Sequence, residues 1–282
     1  MVRGSGDLEA FSDQAFAAIR AHPDFRAAIE ALARENLANY AGWSIAQRWL
    51  LSDLGRASLS GAAMMLDALF DGFAAAHLIQ SAIANRTCSE GRARHYLRRA
   101  LANGFLTRDE TGTLRLSPRM HEVMGAGVAA MMHAVARLDP GLAHLRDMTR
   151  DAQFTRRLAM QMGLNTVARR DLFVGPDRPV LLFLARDGGS RMMEQLIAAQ
   201  PAGRSRLLER APVSQRALAQ GAFVSRTHVS RLLADGEARG LFQSQACGMV
   251  VAPDLSEDVE RHYALVLEMG RVSAHAALAQ AS

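Results

Sequence analysis

The segment VSQRALAQGAFVSRTHVSRLLADGEARGLF, residues 213–242, decides the fold. Residues 213–220 have the apolar spacing of a short helix, and residues 221–224 are typical of the tight turn that follows it. The hydroxyl of Ser225 can accept from free backbone N–H groups, so a second helix is expected to begin there. Gly240 suits the left-handed conformation that ends a helix, and the two large apolar residues after it open a strand.

A β-hairpin is expected next, because residues 241–243 and 249–251 contain strand formers on either side of a turn that ends at Gly248. A helix, a tight turn, a second helix and a hairpin together predict a winged helix. Its wing, Gln243–Gly248, carries no charge, so we expect it to add little affinity for phosphate.

The same pattern occurs earlier in the chain. Ser89 aligns without a gap with Ser225, at an offset of 136 residues, and the first copy reads SEGRARHYLRRALANGFL over residues 89–106. Gly104 then matches Gly240, and a second hairpin is expected over residues 105–116. Residues 73–83 would be the preceding helix, and its turn over residues 84–88 contains no glycine.

The segment from Val213 to Phe242 resembles bacterial winged helix-turn-helix regulators of the MarR type. The resemblance covers about thirty residues and includes the apolar positions, the turn glycine, the capping serine and the terminal glycine. It implies transcriptional regulation through double-stranded DNA, in which the second helix of each module enters the major groove. It also implies dimerisation. Alternatively, the two modules of one chain could act like the two subunits of a dimer, so that a monomer binds two half-sites about one helical turn apart.

Each second helix should bury one face and present the other to DNA. The expected buried stripes are Ala93, Tyr96, Leu97 and Ala100 in the first copy and Val229, Leu232, Leu233 and Gly236 in the second. Arginine suits guanine edges and phosphates, and serine and threonine suit either. The candidate DNA-binding residues are Arg92, Arg94, His95, Arg98, Arg99, Arg108 and Arg115 in the first copy and Arg226, Thr227, His228, Ser230 and Arg231 in the second. Alternatively, an arginine-rich outer face is only a solvated surface, or the module binds another protein.

Composition favours an anionic partner. The net charge is +5 and the isoelectric point is near 10.1, although all 33 basic residues are arginine, as expected from a GC-rich genome. Cys88 and Cys247 are too few for a disulfide framework, and we interpret them as small hydrophobic residues rather than a thiol sensor. Short apolar runs and a polar start, Met1–Gly6, predict a cytoplasmic protein without a membrane segment.

Other chemistries have little support in the sequence. The histidines do not have zinc-site spacing, and no glycine loop, HExxH motif or nucleophile elbow occurs, so we expect no metal, no cofactor and no enzymatic activity. The frequent methionines are interpreted as core filling rather than as the lining of a ligand pocket. A small-molecule effector remains unknown.

We therefore predict a mainly α-helical fold with two winged helix-turn-helix modules in tandem, helical flanking segments and short β-hairpin wings. The predicted parts are an N-terminal helical segment (1–57), a first module with its following helix (58–138), a helical linker (139–180) and a second module with a C-terminal helix (181–282). Two alternatives to a regulator remain. One is a plasmid-type replication initiator, which would prefer iterated direct repeats. The other is a winged-helix protein-interaction module without specific DNA binding.

Overall fold

The computed structural model of the chain describes residues 11–86, 88–149, 151–173, 175, 178–201, 206–211, 213–245 and 248–280. These residues form a mainly α-helical fold with a few short antiparallel strands, which confirms the predicted fold class at this level. Met1–Gly6 and Cys247, on which two of the expectations above depend, lie outside the described residues.

The described part of the N-terminal segment contains the helices α1 (Asp13–Ala21), α2 (Phe25–Gly42) and α3 (Ile45–Leu50). The Ser12 hydroxyl accepts from the Ala15 amide and so begins α1. Ser44 and Gln47 form a reciprocal capping box at the start of α3. Local capping residues thus mark where α1 and α3 begin, whereas Asp24 before α2 makes no side-chain capping bond.

The first copy of the repeat begins with α4 (Leu54–Phe70), α5 (Ala75–Ala84) and α6 (Glu90–Ala102). A hairpin of β1 (Leu106–Arg108) and β2 (Leu114–Leu116) follows, and then the long helix α7 (Pro118–Leu138). The two strands are antiparallel, with Leu106 opposite Leu116. Phe73, between α4 and α5, adds a one-residue bridge through reciprocal backbone hydrogen bonds of 2.9 and 2.8 Å with Leu114.

Between the two copies lie the short helices α8 (Leu145–Met148), α10 (Arg170–Phe173) and α11 (Leu181–Leu184) and the 17-residue helix α9 (Ala152–Ala168). The second copy contains α12 (Gly189–Ala198), β3 (Arg210–Ala211), α13 (Gln215–Ala222), α14 (Arg226–Ala238), β4 (Phe242–Gln245), β5 (Gly248–Val251) and α15 (Pro253–Ala279). Its strands form an antiparallel sheet in the order β3–β5–β4, with Phe242 opposite Val251.

The order of elements is therefore the same in both copies: a helix, a short strand or bridge, two helices, a hairpin and a long helix that begins with proline. The turn between α13 and α14 differs from the sequence prediction, because α13 continues through Gly221 to Ala222 and the left-handed residue is Phe223, at φ 55°. The Phe223 ring lies under the Arg48 guanidinium, 3.4 Å from ring centroid to Cζ, and this contact helps to hold the unusual backbone conformation.

Two large apolar clusters hold the chain together. The first copy has its own core, formed by α3–α6, the hairpin and the start of α7. The larger cluster joins α2, the second half of α7, the start of α9 and the elements from α11 to α15. On the C-terminal helix α15, the side chains of Val259, Tyr263, Leu267 and Met269 are buried within this chain, and Val266 is half-buried.

Candidate nucleic-acid interface

The helices α6 and α14 begin and end as the repeat predicts. The Ser89 hydroxyl accepts from the Arg92 amide at 3.3 Å, and the Ser225 hydroxyl accepts from the His228 amide at 3.1 Å. Gly104 has φ +69° and Gly240 has φ +67°, the left-handed values at which glycine avoids steric cost. The two helices are thus positioned by the same local signals.

The inner faces of both helices are buried at every predicted position. These positions are Ala93, Tyr96, Leu97 and Ala100 in α6 and Val229, Leu232, Leu233 and Gly236 in α14. Within the first core, the Tyr96 hydroxyl lies 2.8 Å from Ser60 Oγ, and its ring stacks on Trp49 with centroids 5.6 Å apart. Burial raises the pKa of Tyr96 far above its ordinary value, so the hydroxyl stays protonated and hydrogen-bonded.

All the predicted basic residues of the first copy are exposed, but their surroundings differ. Arg94 pairs with Glu90 at 2.6 Å, one turn earlier on the same helix. Arg92 reaches the buried carboxylate of Asp53 at 2.5 Å. Arg99 places its guanidinium carbon 4.7 Å from the centroid of the Trp49 ring, against which His95 also packs. These three arginines are therefore partly engaged within the protein.

In the second copy, Arg226, Thr227, Ser230 and Arg231 are exposed on α14. Ser230 Oγ donates to Gln215 Oε1 at 2.8 Å and thereby ties α14 to the first turn of α13. His228 is half-buried, and its Nε2 has no hydrogen-bond partner among the described residues. Sequence reasoning missed Gln215, although its place just after the capping residue Ser214 puts it near α14.

Within the part of the chain that the structure describes, five arginines of the predicted set make no ion pair: Arg98, Arg99, Arg108, Arg226 and Arg231. Of these, Arg99 packs on the Trp49 ring. By contrast, Arg115 on the first hairpin pairs with Asp71 at 3.0 Å. Hydrogen bonds from Arg115 and Arg156 lower the pKa of Asp71, so this carboxylate stays charged and neutralises the wing arginine. Arg98 and Arg108 in the first copy and Arg226 and Arg231 in the second are the charges available to a polyanion.

A chain of charged contacts, which the sequence did not predict, connects the two copies. Asp53 pairs with both Arg92 of α6 and Arg56 of α4, and Arg56 also reaches Asp187 in the loop before α12. Desolvation alone would raise the pKa of Asp187, but the charge and hydrogen bond of Arg56 outweigh it and lower that pKa.

The same loop continues the chain to the second copy. Its Arg186 pairs with Asp235 of α14 at 2.5 Å, and its Gly188 amide donates to the Ser52 carbonyl at 2.7 Å. Through residues far apart in sequence, the loop holds α6 and α14 in one framework, while the outward arginines stay exposed.

Within the described ranges, no group of three or more histidine, cysteine, aspartate or glutamate side chains is placed to hold a metal ion. Nor does any described helix combine the length and the apolar character needed to cross a membrane.

No protein family, characterised protein or solved structure was found to match the chain.

Proposed function

We propose that this protein is a sequence-specific double-stranded DNA-binding transcriptional regulator with two winged-helix modules in tandem. The observation that carries the proposal is the repeated order of elements, in which α6 and α14 each precede a hairpin and each expose arginines that have no acidic partner among the described residues. In a winged helix, this helix lies in the major groove and the hairpin reaches the backbone or minor groove.

The first module comprises α4, the Phe73 bridge, α5, α6, the β1–β2 hairpin and α7. The second comprises α12, β3, α13, α14, the β4–β5 hairpin and α15. Arg98 and Arg231 lie in the middle of their helices, on the faces opposite the buried stripes. Both suit a bidentate contact with a guanine edge, the commonest specific contact in the major groove.

The connection between the modules favours joint binding. The contacts from Arg92 through Asp53 and Arg56 to Asp187, and from Arg186 to Asp235, restrain α6 relative to α14. A single chain with two restrained reading helices would favour sites with one fixed half-site spacing.

Selection of tight binders from a random duplex library, at moderate and at high salt, tests the proposal. We expect a consistent two-part motif that survives the higher salt, because base contacts persist when phosphate contacts are screened. Arg98→Glu should remove one half of the motif and Arg231→Glu the other. Arg146→Glu, an exposed position on α8 with the same change of charge, is the matched control and should keep the whole motif.

Weak binding that is sequence-blind, that disappears as salt rises and that is reduced equally by all three substitutions would contradict the proposal. It would favour the protein-interaction module instead. Recovery of iterated direct repeats rather than a single two-part site would favour the replication initiator.

A further inference from the structure

A cavity of about 340 Å³ lies where the two copies of the repeat meet. Its walls come from α4, α5 and α7 of the first copy, from the connecting helices α9 and α10, and from α15 of the second copy. The volume falls within the range of small-molecule sites in proteins. The cavity is partly open to solvent, and Val167 of its lining is 43% exposed, so a ligand could enter.

Small residues line much of the cavity: Ala57, Gly61 and Ala62 on α4 and Ala159 and Gly163 on α9. Gly163 lies so close to Met65 that a Cβ there would overlap the Met65 side chain, whereas Gly61 has no such neighbour. A Cβ added at Gly61 would meet no atom within 4 Å, so this position faces free space. Glycine inside a helix is unfavourable relative to alanine, and nothing packed against Gly61 requires it.

The lining is mostly apolar. Met65, Met124 and Met162 supply flexible thioether side chains that adapt to irregular partners, and among the described residues no aspartate, glutamate or arginine lines the cavity. His262 is the one titratable lining residue in the described part of the chain, and burial together with the nearby Arg178 lowers its pKa to about 4. It is therefore neutral at physiological pH, although Asp258 acts in the opposite direction. Ser58 and Ser81 add hydroxyl groups.

We propose that this cavity binds an uncharged, predominantly apolar small molecule with one or two hydrogen-bonding groups. An anion or cation would lose its hydration without gaining a charged partner, whereas apolar surface would gain the full benefit of burial. Most of the methionines that the sequence assigned to the core are buried there, among them Met120, Met131 and Met192. Met65, Met124 and Met162 pack against the same cores and also line this cavity. The site is independent of the proposed DNA-binding face, so its test contains no DNA.

The experiment is a fluorescence titration of the full chain with N-phenyl-1-naphthylamine, an uncharged apolar probe that brightens when it leaves water. We expect saturable binding of one probe per chain. Gly61→Leu should occupy the cavity and weaken the binding at least tenfold, while the helix gains from replacement of glycine. Gly125→Leu is the matched control, since Gly125 is also a helical glycine with no atom within 4 Å of a built Cβ and does not line the cavity.

A second measurement does not depend on a variant. With ¹³C-methyl methionine, the probe should shift the signals of Met65, Met124 and Met162 and leave that of Met249, in the β5 strand, unchanged. Absence of saturable binding, equal binding by Gly61→Leu and wild type, or shifts spread over methionines outside the cavity would overturn the proposal.

Discussion

Gly236 lies so close to the ring of Phe242 that a Cβ at residue 236 would overlap the ring carbons. Both residues are buried, and Phe242 opens the strand that follows α14. At the equivalent positions of the first copy stand Ala100 and Leu106, also buried. Thus Gly236 faces the larger Phe242 in the second copy, and the larger Ala100 is matched with the smaller Leu106 in the first. This is expected when two similar backbones enclose cores of similar volume.

Gly236→Ala should therefore destabilise the protein by about 1–3 kcal/mol, because the added methyl group must displace a buried ring. Phe242→Leu in the same chain should recover part of that loss, since it reproduces the first copy. Urea unfolding of both single variants and the double variant measures the coupling. Ala100→Gly is the control and should cost only about 1 kcal/mol of helix propensity. Strictly additive single losses would show that the two side chains do not compete for space.

A second prediction concerns Asp53, which caps α4 and pairs with Arg56 and Arg92 while its own side chain is only 2% exposed. Asp53→Ala removes the cap and both ion pairs, and we expect a loss of about 2–3 kcal/mol in the free energy of unfolding. Asp187→Ala removes a half-exposed partner of Arg56 and should cost less than about 1 kcal/mol. Thermal and urea unfolding compare the two. Equal losses would show that burial of Asp53 contributes nothing to the strength of its pairs.

The helices, their caps and their buried faces could be predicted from the sequence because these features are local. Ser225 and Gly240 mark the ends of α14, and the stripe from Val229 to Gly236 follows helical spacing. The bridge at Phe73 could not be predicted, because one pair of backbone hydrogen bonds leaves no repeated pattern in the sequence. The left-handed Phe223 was missed because its support comes from Arg48, far away in the chain.

The exposed positions of the candidate site could be predicted from the sequence. Which of its arginines form ion pairs within the protein could not. Arg92, Arg94 and Arg98 look alike in sequence, yet Asp53 and Glu90 engage the first two and leave the third free. The partner of Arg92 lies 39 residues earlier in the chain and reaches it only because α4 packs beside α6. The cavity was hidden for the same reason, since its walls come from helices that are distant in sequence.

A third prediction follows from His262, whose pKa is lowered to about 4 by burial and by Arg178, against the opposing charge of Asp258. Between pH 6.5 and 4 the unfolded chain binds a proton at this residue and the folded chain does not, so its contribution to stability is lost as the pH falls. The contribution amounts to about 3 kcal/mol over that range. His262→Phe should flatten the pH dependence of the unfolding free energy by this amount. The same acid slope in variant and wild type would assign the loss to other groups.

Glu194 should make the protein less stable as the pH rises, which is the opposite of the effect expected for His262. Burial raises its pKa to about 7, although Arg191 and a hydrogen bond from Asn36 favour the charged form. The folded chain holds this proton longer than the unfolded chain, so stability is lost as the pH rises from 4.5 to 7, by about 3 kcal/mol. Glu194→Gln keeps an acceptor for Asn36 and has no proton to lose. Its stability relative to wild type should therefore increase across this range, and a difference independent of pH would contradict the prediction.

The last prediction rests on the proposed function and concerns Glu90 at the start of α6. Its carboxylate pairs with Arg94 at 2.6 Å, and both side chains are more than half exposed, so the pair contributes little to stability. Close to a DNA duplex, the Glu90 carboxylate would repel phosphates, and its ion pair with Arg94 would compete with a contact between Arg94 and phosphate. Glu90→Gln should tighten binding to the selected duplex several-fold and steepen the dependence of log K on log salt by about one. Glu122→Gln, an exposed change of equal charge on α7, is the control. If both substitutions tighten binding equally, only net charge matters, and α6 does not approach the DNA.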